Sequence, residues 1–437
     1  MKLELHDSFC RALDFMERGD GHVFITGKAG TGKSTLLGHF RDTTQKNCVV
    51  LAPTGVAALN IQGETIHSFF GFKPGITPEE IRENPPRKKL LKYKKLEILV
   101  IDEVSMLRAD LLDCVNAFLQ AARKSRRAFG GVTCVFIGDL YQLPPVVRQD
   151  EREALAERYG APYFFCADVT RALFEENEIA FIELDKVFRQ RDERFLEILN
   201  AVRDRAVTRE HLALINARCQ SRPAKVDTAS LFLTATNAQA DAINQRNAEG
   251  LSGAPRMYEG MLEGDFPRKD LPTDYALTLK PGARVMLLNN DPAGRWVNGS
   301  LGHVEELHDR VAEVALDGGA TVTVEPFAWS MYRSVYDKRA RVLRQERVGG
   351  FMQLPLRMAW ATTIHKSQGK TFDSLTIDLS RGMFAAGQLY VALSRCRTLA
   401  GITLTHPLQM SHLMLDYRCV RFLNALRHSQ EQSILPA

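Results

Sequence analysis

Four short apolar runs punctuate the first 140 positions, VFIT at 23–26, CVVLA at 48–52, ILVI at 98–101 and TCVFI at 133–137, and each stops in a polar or glycine-rich loop. Uninterrupted runs of this length, without alternation, predict strands buried on both faces, as in a parallel sheet. Their carboxyl ends would converge on one crevice, the place where a doubly wound fold holds its ligand. Leu111, Leu112, Val115, Phe118, Leu119 and Ala122 recur at helical spacing and predict an amphipathic helix over 110–124 packed on that sheet. Phe136 and Phe181 belong to the core on the same pattern. The pattern changes later in the chain. LKPGARVMLLNND, WVNGSLGHVEEL, VAEVAL and ATVTVEPF are strand-like, with Asn298-Gly299 as a strong turn signal. They predict a small β-barrel between about 291 and 354, and a meander extending the core sheet is the alternative. Residues 71–95, with their prolines and basic run, fit no strand of the sheet.

A chain of 437 residues is long enough for two to four compact units. No stretch approaches the roughly 18 uncharged apolar residues of a membrane span, and the opening MKLELHDSF lacks the apolar core of a signal peptide. A cytoplasmic location is the expectation. The eight cysteines show neither a CxxC pair nor zinc spacing, which predicts reduced thiols. The net charge of +5 says little alone. Locally, six of the nine residues in RKKLLKYKK (87–95) are basic, and RKSRR (123–127) is a second knot. Such runs are solvated faces unless catalytic motifs point to nucleic acid.

Those motifs exist. Gly27-Lys28-Ala29-Gly30-Thr31-Gly32-Lys33-Ser34 is a full GxxxxGKS between a predicted strand and a predicted helix. Backbone N–H groups of such a loop cradle phosphates at a helix N-terminus, so Gly27, Ala29, Gly30, Thr31, Gly32, Lys33, Ser34 and Thr35 are the candidate nucleotide site. Lys33 would meet the β- and γ-phosphates, and the Ser34 hydroxyl would bind Mg²⁺. Asp102 and Glu103, at the end of ILVI, are the second metal ligand and the general base for the attacking water. Gln142, in GDLYQLPP, points at the same crevice by topology. Arg189 in KVFRQRD and Arg395 in YVALSRCR are candidate arginine fingers for the γ-phosphate transition state. Neither a guanine-reading NKxD nor an LSGGQ is present, and a small-molecule kinase would not need so large a second half.

In order, GKAGTGKST, LAPTGVAALNIQGETIHSFF, VIDEVSML, GDLYQLPPV, FRQRD, TIHKSQGKTF and YVALSRCR resemble the motifs of superfamily 1B DNA helicases of the Pif1 type. The resemblance runs from about residue 5 to 405. It implies an α/β fold of two RecA-like P-loop domains with ATP between them. The expected division is 1–178 with a wedge insertion at 71–95, then 179–290 with 355–437, and an SH3-like insertion at 291–354. It further implies ATP and Mg²⁺ as cofactors, 5′ to 3′ movement on single-stranded DNA and unwinding of forked duplex DNA; a monomer or weak self-associate is expected, and the short chain without a transit-like amino terminus favours a bacterial or phage source with a nucleoid location. A RecD-like translocase without independent unwinding is the alternative; the segment DLLDCVNAFLQAARKSRRAFGG, which looks like the Pif1 signature, argues against it.

Carried over residue by residue, Gln142 senses the γ-phosphate, and Pro53, Thr54, His67, Ser68, Phe69, Thr363, His365, Lys366 and Ser367 line the DNA channel. Arg87, Lys88 and Lys89 contact the DNA backbone from the wedge, while Phe69, Phe72, Tyr141 and Trp360 are candidates for stacking on bases. One departure stands out: the glutamine that reads adenine in the family falls on Cys10 here, and a thiol is too weak a donor and acceptor to replace an amide. Relaxed base selectivity is the expectation.

Overall fold

The structure, a computed structural model, describes residues 6–434 except 74, 88–89, 189–191 and 220–229. The chain forms two compact units, one of Met1–Arg189, Tyr332–Arg347 and Asp416–Ala437, the other of Gln190–Met331 and Val348–Leu415.

The first unit is built on a parallel sheet of β1 (His22–Gly27), β2 (Cys48–Ala52), β3 (Glu64–Thr65), β4 (Ile98–Ile101), β5 (Thr133–Ile137) and β6 (Ile179–Leu184). Their order is β3-β2-β4-β5-β1-β6, so β1 lies between β5 and β6 while β4 adjoins β5. All four predicted runs are strands of this sheet. The two that were not predicted, β3 and β6, are a two-residue pairing and an IAFIEL run with a glutamate in it. Helices α1 (Asp7–Arg18) and α2 (Lys33–Thr43) cover one face, where Phe9, Met16, Leu36 and Phe40 meet Val23, Ile25, Val100 and Val135. Each such side chain contributes about 1.5–3 kcal/mol when fully buried. The predicted helix is present as Ala109–Arg123, with Leu111, Leu112, Val115, Phe118, Leu119 and Ala122 all buried.

Two boundaries differ from the sequence expectation. The carboxyl-terminal helix Tyr417–Ile434 belongs to the first unit: the Phe422 ring stacks on Phe165 at 4.3 Å, and Arg427 forms a two-point ion pair with Glu183 at 2.9 and 3.0 Å. Residues 332–347 also belong there, donating from Leu343 N to Asn47 Oδ1 (2.6 Å), from Gln345 Nε2 to Gln62 O (2.7 Å) and from Ser334 N to the Glu64 carboxylate. Local pattern places a helix or a strand but not the surface that covers its apolar side.

Residues 71–95 hold two short helices, Pro78–Glu83, closed by a Thr77–Glu80 capping box, and Leu91–Lys95. Phe70, Phe72, Tyr93 and Phe118 pack together at 4.7–5.8 Å between ring centres. Arg123, the first residue of the second basic knot, is structural: it donates to the carbonyls of Gly130, Tyr93, Lys94 and Leu96.

The second unit has a parallel sheet in the order Ala361–Thr363, Leu231–Thr234, Leu375–Ile377, Ile402–Leu404. The strand-like segments of the later chain form separate antiparallel sheets and do not join it, which removes the meander alternative. These sheets begin earlier than residue 291. Strand Arg284–Leu287 pairs with both Leu301–Leu307 and Leu356–Met358, and Tyr258, Leu277 and Val285 share a core with Trp296 and Trp360. Trp360 is therefore core and does not present a ring to a base. Among the described residues, no helix is long and apolar enough to cross a membrane.

Candidate nucleotide site and DNA-facing residues

β1 is buried along its whole length and ends in Gly27, where a Cβ would lie 2.6 Å from Thr31 Oγ1 and 2.8 Å from Leu184 O, so only glycine fits. The chain then turns through Gly30 and Gly32, both left-handed with φ of 84° and 85°, and enters α2 at Lys33. Thr31 Oγ1 closes the turn on Lys28 O at 2.9 Å. The Lys33 amine lies back over the loop, donating to Gly27 O (2.6 Å) and Lys28 O (3.0 Å). Ser34 and Thr35 are exposed in the first turn of α2, where the helix dipole favours an anion, whereas Ala29 and Thr31 are buried in the loop wall.

At the end of β4, Asp102 is 6% exposed. Burial raises its pKa, against the opposing pull of the Glu103 N–H, which donates to Asp102 Oδ1 at 2.9 Å, and of the Lys33 charge. A buried carboxylate in this state favours a cation at its open oxygen. Glu103 adopts φ 51°, ψ 43°, a left-handed conformation uncommon for a residue with a Cβ. That bend turns the chain out of the strand into the short helix Val104–Met106.

At the end of β5, Gly138 N donates to Ile25 O of β1 at 3.1 Å. Asp139 is fully buried; its carboxylate accepts from Tyr141 N (3.1 Å) and Gln142 Nε2 (3.3 Å), and its carbonyl from Gln142 N (2.9 Å). Asp139 thus orients Gln142 from both ends. Tyr141, expected as a stacking ring, is 5% exposed and part of the wall.

One residue at this site was not anticipated. Phe188 is 51% exposed, its N–H donates to Gly30 O at 2.8 Å, and its ring lies 3.8 Å from the Cβ position of Gly32. An exposed aromatic fastened to a phosphate loop is suited to stack on a nucleobase. Its signal in the sequence was the position next to Arg189, which drew attention to the charge instead. Arg189, like Lys88 and Lys89, lies outside the described residues. Cys10 is exposed on α1, near where Ser8 Oγ bonds Asp185 Oδ1 at 2.8 Å.

The DNA-facing candidates divide. Thr54 caps helix Gly55–Asn60, Pro53 is half-buried before it, and Ser68 is exposed with its hydroxyl 3.5 Å from Glu64 Oε2. His67 is half-buried and Arg87 exposed. Phe69 does not face solvent: it is 1% exposed, edge-on to Phe70 (4.8 Å) and Tyr93 (5.3 Å), and its carbonyl accepts from Tyr93 Oη and Lys92 Nζ. Phe72 is buried in the same cluster. The aromatic run HSFF supplies packing, which composition alone could not distinguish from stacking.

In the second unit, Ser367 is fully buried and its hydroxyl closes a turn on Ile364 O at 2.7 Å, which removes it from the channel candidates. Thr363 is buried and accepts from Lys366 N. Lys366 is exposed at a cavity of 450 Å³ where it, Arg357 and Lys280 face Asp241, Asp274 and Glu249. Burial and then the Arg357 charge lower the Lys366 pKa, and burial lowers that of His365. Arg395 is 1% exposed; its guanidinium donates to Val391 O (2.9 Å), Ser394 Oγ (2.8 Å) and Lys370 O (3.3 Å).

Residues 9–211 match the family model described as PIF1-like helicase. The ATP-dependent DNA helicase Pif1 of Bdellovibrio bacteriovorus is 33% identical, over 92% of this chain and 88% of its own length. A crystal structure of Bacteroides sp. Pif1 with ADP-AlF4 is 37% identical, covers 98% of each chain and superposes with a TM-score of 0.89. Bacteroides Pif1 bound to ssDNA, at the same identity and coverage, gives 0.70. With the P-loop, the acidic pair and the Gln142 loop in order, the chain belongs to the PIF1-like helicase family.

Proposed function

We propose that this chain is an ATP-dependent DNA helicase that moves 5′ to 3′ along single-stranded DNA and unwinds forked duplexes. The observation that carries the proposal is the convergence of Lys33, Asp102, Glu103 and Gln142 at the carboxyl ends of three adjacent strands, β1, β5 and β4. The family relatives, one bound to ssDNA, support the substrate.

In this reading the loop Gly27–Ser34 and Thr35 hold the nucleotide phosphates, and Phe188 stacks on the base. Lys33 leaves its carbonyl partners for phosphate oxygens, which offer it charge where the carbonyls offer only dipoles. The exposed Ser34 hydroxyl and the buried Asp102 carboxylate are the residues that would hold Mg²⁺, a hard cation suited to an oxygen donor set. Mg²⁺ would neutralise charge developing on the transferred phosphoryl group. Glu103 takes the proton of the attacking water, and Gln142, held by Asp139, contacts the γ-phosphate. Arg189 and Arg395 are the proposed arginine fingers; for Arg395 this requires exchange of partners that include Val391 O, Ser394 Oγ and Lys370 O. Pro53, Thr54, His67, Ser68, His365 and Lys366 are the proposed DNA contacts, with Arg87 adding charge. A cytoplasmic protein acting on nucleoid DNA fits this activity.

The test is ATP hydrolysis with and without single-stranded DNA, together with unwinding of a fork carrying a 5′ tail. Wild type should show DNA-stimulated turnover and strand separation, and Glu103→Gln should lose both while keeping nucleotide binding. Stimulated turnover without strand separation would favour the RecD-like translocase reading.

A further inference from the structure

We propose that Gly138 is a positioning residue that fastens the general base Glu103 and the sensor Gln142 into one rigid piece, so that γ-phosphate contact at Gln142 sets the placement of the base. This rests on the reading of Glu103 as the base.

Gly138 needs no special conformation, for unlike Gly30 and Gly32 its φ is not positive. What it supplies is space. A Cβ there would lie 2.9 Å from Val104 N, 3.0 Å from Val104 Cγ1 and 3.4 Å from Ser105 N. Two of these atoms are backbone, belonging to the residues that directly follow Glu103, and Val104 is itself completely buried. The close approach therefore pins the peptide next to the left-handed Glu103 from the outside. Met106 N, donating to Glu103 O at 3.0 Å, and Glu103 N, donating to Asp102 Oδ1 at 2.9 Å, pin it from within the loop.

Gly138 is also the residue before Asp139, whose carboxylate and carbonyl both hold Gln142. Its own N–H bonds to Ile25 O on the strand that carries the phosphate loop. One residue without a side chain thus touches the phosphate-loop strand, precedes the sensor turn and abuts the loop of the base. The Gly138 backbone lies so near Val104 that not even a methyl group could stand between them, and a fit this close transmits displacement because there is no void to absorb it. A shift of Gln142 toward a γ-phosphate is felt at Val104, one residue from the base.

The experiment is steady-state ATP hydrolysis with saturating single-stranded DNA, alongside binding of a non-hydrolysable ATP analogue. An added methyl must displace Val104 and with it Glu103, and a misplacement approaching an ångström lowers a rate by about a hundredfold. Gly138→Ala should therefore lower kcat by about that factor with KM for ATP and analogue affinity within threefold of wild type. Val104→Ala in the same chain removes the contact at Cγ1 and should restore part of the loss. Equal losses of kcat and analogue affinity, or wild-type kcat, would overturn the proposal. Should Gly138→Ala fail to fold, Val104→Ala alone, which loosens the contact from the other side, should lower kcat with KM unchanged, and unchanged kcat would overturn it. Glu103→Gln separates the premises: an active Glu103→Gln variant refutes the base assignment, whereas an inactive one beside a fully active Gly138→Ala refutes only the coupling. In the Glu103→Gln background, Gly138→Ala should cause no further loss.

Discussion

His22, the first residue of the strand that leads to the phosphate loop, makes the first unit acid-sensitive in a calculable way. The ring is 8% exposed, its Nδ1 accepts from Cys134 N at 3.1 Å, and Phe129 meets it edge-on at 5.4 Å. Burial, aided by the Arg127 charge, lowers its pKa from 6.5 to about 4. Protonation would bury a charge and set a donor against the Cys134 N–H. The folded state therefore holds fewer protons than the unfolded state between these two values, and stability must fall as pH drops from 6.5 towards 4. At about 1.4 kcal/mol per decade of proton affinity, the full loss is roughly 3 kcal/mol, of which about 2 kcal/mol is expressed by pH 5. That corresponds to about a thirtyfold rise in the opening equilibrium of the sheet, measurable as amide exchange in peptides spanning β1 and β5 after correction for intrinsic rates. His22→Asn keeps an acceptor near the Nδ1 position and removes the titration. The expected result is a shallower dependence of protection on pH in the variant, by the same thirtyfold at pH 5. Identical slopes in the two proteins would show that His22 is already neutral when unfolded or pays no penalty when charged, and would refute the reasoning.

Two further expectations concern the nucleobase. Phe188→Ala should raise KM for ATP by about fivefold or more, in line with roughly 1–3 kcal/mol for an aromatic stacked on a base, with maximal turnover largely kept; an unchanged KM would return Phe188 to a surface aromatic. With Cys10 in place of an amide, GTP and CTP should be hydrolysed at rates approaching that of ATP, and Cys10→Gln should narrow the preference to ATP; strict ATP preference in the wild type would remove the idea.

Asp139 accounts for the polar end of the strand before GDLYQLPP, since its carboxylate holds Tyr141 N and Gln142 Nε2. The bonds present run from Gln142 to Asp139 and so to Gly138 beside the acidic loop. The neighbour that mattered was 34 positions away in sequence, Val104 against Gly138.

The primary structure by itself determined whatever depends on local composition. Uninterrupted apolar runs made the central strands of the parallel sheet, helical spacing made Ala109–Arg123, and the glycines of GKAGTGKS made the phosphate loop, because these choices are decided by backbone sterics and burial within a few residues. Tertiary structure decided the rest. Phe69, Phe72, Tyr141 and Trp360 are chemically fit to stack on bases, and each is buried because a distant element packs over it. Ser367 spends its hydroxyl on a turn, whereas Phe188, in a stretch read for its arginine, is left exposed against the phosphate loop. The helix Tyr417–Ile434 has an apolar side that any matching surface could cover, and the sheet of the first unit covers it. Exposure is a property of all the neighbours at once, and neighbours distant in sequence are chosen by the fold.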